Sequence, residues 1–240
     1  MIDALTNFRL QYMEALAKSW QDKSFKQAML ESNNLLEFLD DQYGKGIKDV
    51  WPNVKIELTD KIRAIWAPEF LGGWVGDDDL FTIYIPNKPE DETIAAEALA
   101  AYGTLFPTFM GRQSQGEFQN TGIIDESFLK FGAITLQVIG ILWRDGKDSD
   151  FHQELFSSED GAALVLSKYL SHKNPWGFRL KFKLADEDKF TYDPVEKTWK
   201  DIQPNEVTLH YPEKPQLEKD LPIALATYNS NYDVYPFTCC

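Results

Sequence analysis

The sequence predicts an α+β protein in which one segment, helices first and antiparallel strands after, is written twice in tandem. Three observations predict it: an ordered set of self-matches about 126 positions apart, a hydrophobic period that changes from 3.6 to 2 within each copy, and a change of composition after Tyr228. Tyr84-Ile85-Pro86-Asn87-Lys88-Pro89 matches His210-Tyr211-Pro212-Glu213-Lys214-Pro215, and Ala98-Leu99-Ala100-Ala101-Tyr102 matches Ala224-Leu225-Ala226-Thr227-Tyr228. Lys55, Leu58, Asp60 and Phe25 fall on Lys181, Leu184, Asp186 and Phe151. Small slips align Leu30 with Leu155, Trp51 with Trp176, Trp74 with Trp199, Trp20 with Trp143 and Asp22 with Asp145.

Each copy opens with an amphipathic helix. Leu5, Phe8, Tyr12, Leu16 and Trp20 form one apolar stripe at steps of three and four, and Phe128, Phe131, Ile134, Val138 and Leu142 form its counterpart. A second helical region carries Phe25, Met29 and Leu30 and, after polar Ser32-Asn33-Asn34, Leu35, Leu36 and Leu39. Trp51-Pro52-Asn53 breaks the helix, because proline lacks the N–H that a helix needs. Strand period follows in Val54, Ile56 and Leu58, and more cleanly in Phe178, Leu180, Phe182 and Leu184 alternating with Arg179, Lys181 and Lys183. Another strand precedes each Pro-x-Lys-Pro turn, at 81–85 and 207–211, and a closing helix follows at 95–101 and from Leu221.

The copies are expected at 1–110 and 125–228, joined by a polar, Gly-containing linker at 111–124 and followed by a flexible tail at 229–240.

Composition sets limits on function. Of 240 residues, 43% are hydrophobic and 14% aromatic, enough for a real core. The longest apolar runs, such as 134–143, are too interrupted to span a membrane, and the basic region of a signal peptide is missing after Met1. A soluble, cytoplasmic protein is expected. The net charge of −14 repels nucleic acid and anionic lipid, so neither is expected as a partner.

Catalytic signatures are absent. His152, His172 and His210 have no metal-ligand spacing, Asp77-Asp78-Asp79 lacks the glycine and distant glutamate of a calcium loop and reads as a solvated turn, and no serine sits in a nucleophile elbow. The tryptophans recur at matched places, which points to core packing. No catalytic residue, metal site or cofactor is expected. What remains is Thr238-Cys239-Cys240, three β-nucleophiles in a row that include both cysteines of the sequence. Each side chain can attack the carbonyl of the residue before it, and loss of water gives a thiazoline or methyloxazoline. Paired cysteines are also compatible with prenylation, a vicinal disulfide, soft-metal binding or two inert thiols.

The stretch from Ala15 to Leu30, then Tyr43-Gly44 and Trp51-Pro52-Asn53-Val54-Lys55-Ile56-Glu57-Leu58, resembles the start of the nitrile hydratase α-subunit. It is more similar to the leader regions derived from that subunit in ribosomal peptide natural-product precursors of the thiazole/oxazole-modified microcin (TOMM) bacteriocin type. The resemblance covers the first sixty residues well and the second copy more loosely. With no internal cysteine for the hydratase metal cluster, it implies the fold without the hydratase activity. It implies a non-enzymatic precursor whose folded leader is recognised through Trp20, Asp22, Phe25 and Leu30 and through Trp143, Asp145, Phe151 and Leu155. Thr238, Cys239 and Cys240 would be the modified residues. The implied partners are a cyclodehydratase and dehydrogenase, a leader peptidase and an exporter of the mature product, although no Gly-Gly cleavage signal precedes Asn229. A degenerate nitrile-hydratase-like metal-binding enzyme and a two-domain scaffold or adaptor are the alternatives.

Overall fold

The computed structural model describes residues 4–44, 47, 53–70, 73–76, 78–109, 126–173 and 178–231. The first copy contributes helices α1 (Ala4–Ser19), α2 (Lys23–Glu31) and α3 (Leu35–Tyr43), strands β1 (Val54–Trp66), β2 (Trp74–Val75) and β3 (Asp79–Ile85), and helix α4 (Ala95–Phe109). The second contributes α5 (Glu126–Asp145), α6 (Asp150–Phe156) and α7 (Gly161–Leu170), strands β4 (Phe178–Leu184), β5 (Thr191–Asp193), β6 (Thr198–Lys200) and β7 (Asn205–Pro212), and α8 (Leu221–Asn231).

Local chemistry sets the boundaries. The α1 stripe is buried at Phe8, Tyr12, Ala15 and Leu16. Asp22 caps α2, its carboxylate accepting from the backbone N–H groups of Ser24 (2.9 Å) and Phe25 (3.1 Å). The Asn34 side chain caps α3 through the N–H of Leu36 (3.2 Å) and also accepts from Ile56 of β1 (3.3 Å), tying helix to strand. Gly44 ends α3 with φ 66°, a left-handed turn that costs other residues more. In β4, Phe178, Leu180 and Phe182 are buried and the basic residues between them are not, as the alternation predicts.

Three differences from the sequence reading stand out. The second helical region is two helices in the first copy, separated at Ser32-Asn33-Asn34, with α7 the matching extra helix in the second. Two antiparallel hairpins were not anticipated: β1/β2 pairs Trp66 with Trp74, and β5/β6 pairs Tyr192 with Trp199. They are too short for periodicity to reveal. The segment expected as tail from 229 is helical through Asn231, because the Arg9 guanidinium donates to the Asn229 carbonyl (3.2 Å) and its side-chain oxygen (3.4 Å) and secures the last turn of α8. The helix break at Trp51-Pro52, the linker and residues 232–240 lie outside the described residues.

The chain forms two compact units, and these cut across the two sequence copies. Among the described residues the first unit holds 4–81, 178 and 206–231, and the second holds 82–173 and 179–205. In the first, the helices and β1/β2 of copy one are completed by β7 and α8 of copy two, with strand order β2-β1-β7. In the second, the helices and the β5/β6 hairpin of copy two are completed by the end of β3 and by α4 from copy one, with β3 beside β4.

Candidate functional site

Four pairs of hydrogen bonds define how each unit is closed, and each pair repeats the same bond with the copies exchanged. In the first unit the indole N–H of Trp20 donates to the Pro212 carbonyl (2.9 Å); in the second that of Trp143 donates to Pro86 (3.1 Å). Trp74 donates to the Ala224 carbonyl (2.9 Å), and Trp199 to Ala98 (3.0 Å). The Glu213 N–H reaches the Ala64 carbonyl (2.8 Å), and the Asn87 N–H reaches Phe190 (3.2 Å). The His210 N–H donates to the Asp79 carboxyl (2.8 Å), and the Tyr84 N–H to the Asn205 side-chain oxygen (2.8 Å). All four tryptophans are buried, as core packing requires. Trp20 packs on Trp74 at 6.3 Å between ring centroids, and Trp143 on Trp199 at 6.1 Å.

These bonds explain where the residues singled out from the sequence lie. Trp20, Phe25, Trp143, Phe151 and Leu155 are buried. Asp22 and Asp145 are exposed. The Asp22 carboxyl is held below its usual range by the hydroxyl of Ser24 and the N–H of Phe25, and that of Asp145 by the guanidinium of Arg144. Leu30 is half-buried and lines an open groove of about 420 Å³ with Lys23, Lys26, Gln27, Glu31 and Asp60. Lys26 bridges from that groove to the closing segment, pairing with Glu213 (3.4 Å) and lying with its ammonium 4.2 Å from the Tyr211 ring centroid. Lys26 thus ties the groove that Leu30 lines to residues of the other copy. Thr238, Cys239 and Cys240 lie outside the described residues.

The reading of Asp77-Asp78-Asp79 as a solvated turn is corrected at its last residue. Asp79 begins β3 and is buried, 7% exposed, with its carboxyl 3.5 Å from the His210 imidazole nitrogen Nδ1. Burial raises its pKa to about 7, and the His210 backbone N–H opposes that only in part. Its parity along β3 with Phe81, Ile83 and Ile85, all buried, was the available signal. Among the described residues no three His, Cys, Asp or Glu side chains converge as a metal site, and no helix is long and apolar enough to cross a membrane.

The closing helix α8 is the last described element before the cysteines in the sequence. Tyr228 of α8 is buried with its hydroxyl 3.2 Å from that of Tyr12 on α1. Tyr228 and Asn229 at the end of α8 are therefore held by the first helix of the first copy. This arrangement defines a class: a duplicated α+β fold whose copies close each other, followed in sequence by a segment bearing both cysteines. The sequence model of the ribosomal natural product, two-chain TOMM family matches residues 3–110 and again 126–236, and the chain belongs to that family. The family consists of TOMM-type natural-product precursors, and such precursors have modifying enzymes as partners. No curated protein and no solved structure matches the chain.

Proposed function

We propose that this precursor is the substrate of an azole-forming enzyme, that its folded region is the leader, and that Thr238, Cys239 and Cys240 are the residues heterocyclised. The observation that carries this reading is family membership of both copies together with cysteines confined to positions 239 and 240. An ATP-dependent cyclodehydratase phosphorylates the amide oxygen activated by attack of the Cys thiol or Thr hydroxyl, and phosphate leaves with that oxygen. Each ring costs the peptide one water; a dehydrogenase then removes two hydrogens to give the azole. The protein itself has no catalytic part in these steps.

Leader recognition falls on the first copy in this reading. The groove beside Leu30 and the cap at Asp22 belong to the unit that also holds α8, the helix leading into the modified segment. Cleavage by a peptidase and export of the product follow modification, which takes place in the cytoplasm. The test is to incubate the purified chain with the cyclodehydratase and ATP and to sequence the product by tandem mass spectrometry. Loss of one water per ring confined to Thr238-Cys239-Cys240, and reduced by Cys239→Ala and Cys240→Ala, is expected. An unchanged mass with an enzyme active on its own precursor would sink the proposal.

A further inference from the structure

The reciprocal bonds above carry a consequence for assembly that does not depend on modification. We infer that the face formed by α1, β1 and β2 is a binding site for the closing segment of another copy, a Pro-x-Lys-Pro turn followed by a short helix, and that it accepts this segment from a separate chain as it does from the same one. The partner is thus a second polypeptide carrying one such copy.

The site is built for that ligand and uses both backbone and side chains. Trp20 and Trp74 present indole N–H groups to the carbonyls of Pro212 and Ala224. The Ala64 carbonyl and the Asp79 carboxyl take the N–H groups of Glu213 and His210. Ser19 reaches the Tyr211 hydroxyl at 2.8 Å, and Tyr12 reaches that of Tyr228. From the ligand side Val207, Leu209, Tyr211, Ala224 and Tyr228 are all buried. Nothing in this set is a covalent consequence of the segment's being on the same chain.

The second unit shows that the same recognition works with the roles reversed. Trp143, Trp199, Phe190 and Asn205 of copy two bind Pro86, Ala98, Asn87 and Tyr84 of copy one through the equivalent groups. Each copy is therefore both receptor and ligand. Such reciprocal exchange of an identical element is how swapped dimers hold together, and here the peptide link between the copies only raises the local concentration of one for the other.

The experiment uses the full chain with a protease site inserted between Gln115 and Gly116. The uncut protein must match the parent in far-UV circular dichroism and thermal unfolding, which shows that the insertion leaves the fold intact. After cleavage, size-exclusion chromatography and native mass spectrometry should find both fragments in a single 1:1 species eluting with the uncut chain, and its helical signal should persist. Its thermal midpoint should become concentration-dependent, since closure is then bimolecular. Adding an excess of a tagged second fragment during a cycle of unfolding and refolding should exchange it into the complex. Two folded fragments that separate after cleavage, each closed on its own segment, would overturn the inference.

Discussion

Asp79→Asn isolates a buried titratable group that distinguishes the two matched closing sites. Asn205 occupies the same place in the second unit and accepts the same backbone bond, so an amide is already known to fit. The Asp79 carboxyl is raised by burial from 3.8 to about 7, and in the unfolded chain it returns to the lower value. An acid whose folded pKa is raised contributes stability below the unfolded pKa and loses it as pH rises through the folded one. The folded state thus binds the extra proton between about pH 4 and pH 7, and stability falls with rising pH across that window. At about 1.4 kcal/mol per pH unit, wild type should lose roughly 2–3 kcal/mol from this group between pH 5 and pH 8. Asp79→Asn should not. Urea unfolding at several pH values, followed by circular dichroism with m-values compared, reads the difference directly. The variant should gain on wild type as pH rises. The same pH slope in both proteins would refute the reasoning.

The converse substitution, Asn205→Asp, should destabilise the protein more at pH 8 than at pH 5, because it introduces a carboxyl where Asn205 is fully buried; the same urea series checks it. Trp20→Phe and Trp143→Phe each leave the carbonyl of a matched proline without its indole donor, at a cost of about 1–3 kcal/mol. Similar losses at both are expected by circular dichroism, and a loss at only one would show that the two closures are not equivalent. Gly73→Ala should cost about 2 kcal/mol or more, since φ is 70° there and a Cβ would run into the Trp66 ring. A thermal midpoint unchanged from wild type would refute that.

Much of this fold is legible in the residues, and the part that is not has a physical reason. The stripe through Phe8, Tyr12 and Leu16 and the alternation through Phe178, Leu180 and Phe182 report burial directly, since each side chain's environment follows from the period of its own element. The Pro-x-Lys-Pro match likewise marks equivalent turns. What no period reports is which copy a closing segment completes. The carbonyl of Pro86 and that of Pro212 are the same chemical group, and Ala98 and Ala224 offer the same helix face. A chain closed within each copy and one closed by exchange would bury the same residue types in the same pattern. Thr238, Cys239 and Cys240 are legible only as chemistry, because reactivity of that kind needs no fold around it.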